Sequence, residues 1–371
     1  MSRRLLQLCL LSAGGFQCLP TAMPPADDSL AVAVFFYNMA YQYPSHVYAI
    51  DQGNALVRRY GVTNYIPGAT GTIASGATAP SNGAVHPAMR HLFFSHNVGA
   101  GNLQVFRIGD DYSLTAGASV THATFLNDVI ADPSGLFVYV PVFSGVGITG
   151  YQFNSVTGGL SLIGALTTGT APFALTQSSD GQHIYAADSG GNTVVSVLRN
   201  SVTGGLTLIN SQASGTQPRG IAIDPTGRFV IATCGTGNLI NVYSRNAGTG
   251  SLTAVSSFAP VASANPRGPV FDRSGLMLVP YSGLSAIGRF YLDPGTGVLT
   301  LVDTITTGSG PRRMAFSRDG KFLYVVTSTG NTLETYRYDS VPVLVSSQSA
   351  GSNPQGVVVM HTSVAAGGSP L

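Results

Sequence analysis

A short segment ending in a tight turn returns along this chain at nearly constant spacing. Met89, Gly135, Gly181, Gly227, Gly275 and Gly320 occupy corresponding places, so successive steps are 46, 46, 46, 48 and 45 residues. Five of the six are Gly, the residue that tight strand-to-strand turns favour. Nine positions before each turn stands Pro80, Leu126, Pro172, Pro218, Pro266 or Pro311. A second, offset series marks another turn at Thr157-Gly158, Thr203-Gly204, Thr249-Gly250 and Thr296-Gly297. Such a period, filled with short alternating strands, is the signature of propeller blades.

Residues 218 to 257 show one repeat in full. Gly220-Ile221-Ala222-Ile223 runs into the turn Asp224-Pro225-Thr226-Gly227, followed by Arg228-Phe229-Val230-Ile231-Ala232, Leu239-Ile240-Asn241-Val242-Tyr243 and Leu252-Thr253-Ala254-Val255. These are four strands rich in β-branched and aromatic residues with Gly, Asn and Asp between them, and no helical period intervenes. At the C-terminus, Pro354 to Met360 repeats the innermost strand, but the chain ends before supplying its three companions. Ala31 to Asn38, His46 to Ile50 and Leu56 to Tyr60 are expected to be those companions. The fold predicted is therefore all-β: a seven-bladed β-propeller of four-stranded blades, its ring closed by the C-terminal strand joining the N-terminal blade, which leaves no open sheet edge between first and last. The propeller spans 31–363, with a signal peptide at 1–22, a linker at 23–30 and a flexible tail at 364–371.

The leader reads Met1-Ser2-Arg3-Arg4 and then Leu5 to Ala13, a basic start and an apolar core too short to span a membrane. With cleavage after Ala22 it predicts export, to the periplasm, the cell surface or the medium. Lys321 and Glu334 are the only Lys and Glu, so Ser, Thr, Asn, Gln and Gly must cover the surface. A formal net charge of +2 supplies no broad basic field, which argues against a nucleic-acid partner. Cys9 and Cys18 fall in the leader, leaving Cys234 alone as a small apolar strand residue with no intramolecular disulfide.

The stretch Gly310-Pro311-Arg312-Arg313-Met314-Ala315-Phe316-Ser317-Arg318-Asp319-Gly320-Lys321-Phe322-Leu323-Tyr324-Val325-Val326 is similar to the G-P-R-H-x-x-F-x-P-D-G-K-x-x-Y-V-x pattern of the lactonase-type seven-bladed propellers. That superfamily includes the propeller 6-phosphogluconolactonases and the fungal carboxymuconate-lactonizing enzymes. Ile184 to Val194 also resembles the YVTN repeats of surface-layer propellers. The resemblance covers roughly residues 31 to 363 and implies the fold, with lactone chemistry as the family's activity. The chain departs from the pattern where His follows Pro-Arg, having Arg313 in one blade and Gly220 in another. Thr327-Ser328-Thr329 and Thr233-Cys234-Gly235 stand in place of the family's Asn-Glu-Leu, and Pro172-Phe173 in place of a Pro-His pair.

In a propeller the innermost strands line a central channel, and the loops entering them form one of its mouths. The residue after each periodic Pro or Leu should recur at one height around that mouth: Ser81, Asn127, Phe173, Arg219, Arg267, Arg312 and Gln355. The next level holds Asn82, Asp128, Ala174, Gly220, Gly268, Arg313 and Gly356. Arg219, Arg267, Arg312 and Arg313 thus face one carboxylate, Asp128. Converging guanidiniums suit a small anionic ligand, carboxylate or phosphate, with Asn82, Asn127 and Gln355 as further binding groups. Asp128 is the candidate general base for water attack on a lactone carbonyl, and His122 the His nearest to share that work. The competing reading is that these arginines bond neighbouring loops and hold blades together.

His86, His91 and His96 are expected to be ordinary surface residues of their strand. Glu334 falls on an outer strand, and no metal or other cofactor is expected, although Asn82, Asn127 and Asp128 carry oxygens of the kind Ca²⁺ takes. Three function classes remain. The first is hydrolysis of a lactone of an acidic sugar or related carboxylate. The second is a non-catalytic extracellular propeller that binds a protein or glycan, and the third a carboxymuconate cycloisomerase. The protein is expected to act as a monomer.

Overall fold

A computed structural model describes residues 6–12, 15–21, 44–63, 66–98, 101–143, 147–339 and 341–361. The chain divides into two units, Met1–Gln42 with Val364–Leu371, and Tyr43–Ser363. In the first, which contains the expected leader, Leu6–Ser12 pairs antiparallel with Gly15–Thr21. The expected linker at 23–30, the expected strand at Ala31–Asn38 and the tail at 364–371 lie outside the described residues.

The second unit consists of seven sheets of four strands. Blade 1 is built from Pro354–His361, Pro44–Asp51, Leu56–Thr63 and Ile66–Ala74, in that order. The C-terminal strand is therefore innermost in the N-terminal blade, and the ring closes as the repeat pattern predicts. The companions differ from those expected, because Ile66–Ala74 is the outermost strand and Ala31–Asn38 takes no described place. The Thr, Gly and Ala that fill this edge strand hide its strand character in the sequence.

Blades 2 to 7 begin at Pro80, Ile130, Pro172, Pro218, Val270 and Pro311, and each runs outward in sequence order. Burial explains the composition of each strand. The second strand is packed on both faces by neighbouring blades and reads as an apolar run, as in Phe229-Val230-Ile231-Ala232, buried throughout. The fourth, as in Leu114–Thr121, has an exposed face and alternates. Seven apolar clusters fill the seven inter-blade interfaces. Phe229, Ile231 and Val242 of blade 5 meet Met277, Val279 and Phe290 of blade 6, while Val47, Ala49 and Val357 of blade 1 meet Tyr324 and Val326 of blade 7.

Both turn series require a left-handed backbone. φ is +74°, +66°, +71°, +89° and +73° at Gly135, Gly181, Gly227, Gly275 and Gly320, and Met89 adopts +54° in the blade that lacks the glycine. The Thr-Gly turns also join blades, since Tyr139 Oη donates to the Gly204 carbonyl at 2.8 Å and Tyr185 Oη to that of Gly250 at 3.0 Å.

The histidines of blade 2 are not on the surface. His86 occupies the turn position that Asp132, Asp224 and Asp272 hold in other blades, accepts from the Ala88 N–H through Nδ1 and bonds the Gly135 carbonyl through Nε2 at 3.0 Å. His91 packs on Phe153, and both ring nitrogens of His96 face carbonyls, those of Asn102 and Ser75. Burial, the dominant cause, lowers the pKa of each. His91 and His96 begin and end the second strand of the blade, which is packed on both faces, so a place on it does not mean exposure. Cys234 is buried beside Ser214 Oγ, and burial raises its pKa. Among the described residues no helix is long and apolar enough to cross a membrane.

Candidate functional site

Ser81, Asn127, Phe173, Arg219, Arg267, Arg312 and Gln355, one from each blade, line a single cavity together with Gly268 and Arg313. Its empty volume is about 390 Å³, part of it open to solvent. The pairing register places them there, because each residue follows the position that opens the inner strand. Pro80, Pro172, Pro218, Pro311 and Pro354 pair with His96, Asp188, Cys234, Thr327 and Asp51, and Leu126 and Pro266 form the equivalent bridges to Val142 and Tyr281.

The level beneath is a strut across the channel. Asp128, 2 % exposed, accepts at Oδ1 from Asn82 Nδ2 and the Val129 N–H, and at Oδ2 from the Leu175 N–H at 2.9 Å. Arg313 Nη2 reaches Oδ2 at 3.8 Å. One carboxylate therefore ties together blades 2, 3, 4 and 7. Glycines clear the space for this meeting: a Cβ on Gly220 would stand 2.7 Å from the Gly268 Cα, and one on Gly356 3.1 Å from Asn82 Oδ1.

The expected catalytic pair is not brought together at the cavity. Asp128 does not line it, and its carboxylate already accepts from three donors and stands beside a guanidinium, as suits an anchor between blades. His122 bonds Tyr151 Oη through Nε2 at 2.9 Å, and burial lowers its pKa. It too is absent from the cavity wall.

The arginines are brought together. Arg312 donates from Nε to Ser328 Oγ at 3.2 Å and from Nη1 to Gln355 Oε1 at 2.6 Å. Arg267 donates from Nε to Ser282 Oγ at 3.1 Å. Arg219 donates from Nη2 to Gln217 Oε1 at 3.1 Å and lies over the Phe173 ring, 5.3 Å from its centroid. Burial and then repulsion from Arg312, Arg219 and Arg313 push Arg267 down to about 10. Arg312 is lowered by burial and by Arg219 and Arg313, and Arg219 by burial. Of the four guanidiniums only Arg313 stands within ion-pair reach of a carboxylate among the described residues, and the Asn127 Nδ2 and Arg219 Nε groups are buried without a protein acceptor. Desolvated like charges of this kind are relieved by an anion.

Ser282, Ser328 and Gln217 orient the arginines yet escape a search for charged or ring-lining residues. Their signal lies in register: each Ser is the residue after the strand partner of the periodic Pro. Phe173 is legible only as a position on the ring, because a cation resting on its face requires the neighbouring blade. Among the described residues no three His, Cys, Asp or Glu side chains gather as metal ligands would.

Residues 47–266 and 270–361 match the family model "Lactonase, 7-bladed beta-propeller". No curated protein matches the sequence. Among solved structures, the periplasmic gluconolactonase PpgL of Pseudomonas aeruginosa superposes with a TM-score of 0.74 at 18% identity, over 85% of this chain and 98% of that one. A putative 6-phosphogluconolactonase from Bacteroides uniformis gives 0.75 at 14%, over 85% and 99%. A protein from Lactobacillus plantarum gives 0.75 at 16%, over the same shares of the two chains. At such identities the superpositions speak for the fold.

Proposed function

The chain belongs to the lactonase family of seven-bladed β-propellers, and from that premise we propose that its channel mouth binds a small anionic ligand, a carboxylated or phosphorylated sugar lactone, and hydrolyses it. One observation carries this reading: Arg219, Arg267, Arg312 and Arg313 border one cavity whose level beneath holds a single carboxylate. A substrate carboxylate or phosphate offsets the repulsion among them. As water adds to the lactone carbonyl carbon, the oxygen gains negative charge, and a guanidinium already in place stabilises it without reorganisation. Breaking the ring ester bond then yields the hydroxy acid. The gluconolactonase and 6-phosphogluconolactonase named among the structural neighbours support lactones as the class to assay. Export to the periplasm or beyond is part of the same proposal, supported by the leader and by the periplasmic neighbour.

A second reading has its own support. The cavity wall contains Ser, Asn, Phe, Arg, Gly and Gln and no carboxylate or imidazole, as suits a propeller that binds an anion without turning it over. One experiment separates the two. The chain from Met23 onward is titrated with sugar acids, aldonolactones, phosphorylated lactones and muconates while melting temperature and acid release are followed. Binding raises the melting temperature whether or not chemistry follows. The expected result is a shift from one anionic class, lost in Arg219→Ala/Arg267→Ala/Arg312→Ala, with acid released from the matching lactone. A shift without acid release establishes the second reading, and a shift retained in the triple variant moves the site elsewhere.

The pH dependence follows from Arg267. The charged form binds the anion, so affinity should hold between pH 6 and 9 and fall as pH passes about 10. In the free protein the sign is opposite. A folded pKa below the unfolded value makes the charge a cost that is complete below about 10 and is relieved as pH rises beyond it. Calorimetric titration with the bound acid at pH 7, 9 and 10.5 checks this, and a loss of affinity already at pH 8 would assign the dependence to another group.

A further inference from the structure

The three arginines of the upper ring are not equivalent, and the difference deepens the reading above, on which it rests. Arg267 and Arg312 each commit Nε to a serine hydroxyl, Ser282 and Ser328. In blades 6 and 7 that serine follows the residue paired with the periodic Pro, Tyr281 opposite Pro266 and Thr327 opposite Pro311. In blade 5 the same register, Pro218 opposite Cys234, puts Gly235 at this place. Glycine offers no hydroxyl, and Arg219 Nε is buried without a protein acceptor. One Nη2 hydrogen of Arg219 goes to Gln217 Oε1, and the guanidinium rests over the Phe173 face. Gln217 is itself steadied by the Thr236 hydroxyl at 2.7 Å.

Carboxylates and phosphates bind arginine most strongly through two parallel N–H bonds, and one edge that supplies them comprises Nε and a terminal nitrogen. At Arg267 and Arg312 the Nε of that edge already serves the protein. We propose that Arg219 grips the ligand's carboxylate or phosphate side-on through Nε and the Nη2 hydrogen that Gln217 leaves over, that Phe173 sets the plane of the fork, and that Gly235 keeps Nε free. Arg267 and Arg312, fixed by their serines, face the same ligand with terminal nitrogens as positioned charges. The mouth is thereby directional, with the carboxylate or phosphate of the ligand on the blade 5 side.

Gly235→Ser tests this by giving blade 5 the residue that blades 6 and 7 have. An added Cβ would meet Asn265 Oδ1 at 2.5 Å, the end of a side chain able to rotate, and Arg267 Nη1 at 3.6 Å. Arg219→Lys is the companion variant, keeping the charge and removing the fork. The full chain and its variants, with Arg219→Ala, are titrated calorimetrically with sodium gluconate and separately with inorganic phosphate. The Arg219 Nε–H resonance is followed in nitrogen-15 spectra. The expected result is that one of the two anions moves that resonance and that Gly235→Ser and Arg219→Lys each weaken its binding by about tenfold or more. Which anion does so identifies the group that is gripped. If Arg219→Lys binds as tightly as the parent while Arg219→Ala does not, Arg219 is only a point charge; this inference fails and the anion mouth stands. If the parent binds neither anion, both fail. Should Gly235→Ser not fold, Arg219→Lys and the Nε resonance decide alone.

Discussion

Replacing Asp128 by Ala should lower the unfolding free energy by about 3–5 kcal/mol, the usual cost of removing one partner of a buried ion pair. The carboxylate accepts from the Val129 and Leu175 amides and the Asn82 side chain and faces Arg313, so its loss leaves donors from three blades unmet and adds a fourth uncompensated guanidinium to the mouth. Urea unfolding followed by far-ultraviolet circular dichroism measures it, and an unchanged midpoint would contradict the strut. Asp128→Asn preserves shape and one acceptor but removes the competing negative charge. It should cost less stability and bind an added anion several-fold more tightly. If Asp128 were instead the base that activates water, the Asn variant would bind its lactone as the parent does and lose turnover.

A comparable loss, about 3 kcal/mol or more, is expected of Arg199→Ala. This side chain is 4 % exposed. Its Nε donates to the Gly181 carbonyl, its Nη1 stands 3.6 Å from Asp132 Oδ2, and its guanidinium lies over the Phe137 ring. Arg199 belongs to blade 4, whereas Asp132 and Phe137 belong to blade 3, so the pair fastens one inter-blade seam. Asp132 also holds its own turn, accepting from the Ser134 and Phe137 amides. Ser178 and Ser317 take this turn position elsewhere in the chain and accept the corresponding amides, those of His183 and Phe322. Asp132→Ser should therefore be tolerated in the turn, and Arg199→Met/Asp132→Ser should cost less than the sum of its parts. Strict additivity in a double-mutant cycle would show that the two charges do not interact.

The architecture was legible because blades are local. Five of the six periodic turns carry a glycine, each repeat has its own apolar second strand, and the unfinished repeat at Pro354 announces the closure. Ile66–Ala74, the outermost strand of blade 1, was missed and Ala31–Asn38 counted in its stead, because an edge strand of small residues has little apolar pattern to betray it. The histidines of blade 2 were misread for the converse reason, since polar residues in a turn and in a strand packed on both faces suggest exposure until their carbonyl partners within and beyond the blade are known.

The ring of residues behind the periodic prolines follows from the repeat alone, because equal spacing in sequence becomes equal height around an axis. The sequence therefore determined which side chains reach the mouth, including Arg219, Arg267 and Arg312. Only the tertiary structure decided what each one touches there. Which donors a carboxylate meets, and whether a guanidinium is tethered or free, depends on groups set apart in the chain, as the bonds from Arg312 to Ser328, 16 residues on, and from Leu175 to Asp128, 47 residues back, show. Those separations are bridged by the closing of the blades around the channel, where desolvation and the count of available donors fix the chemistry of each group.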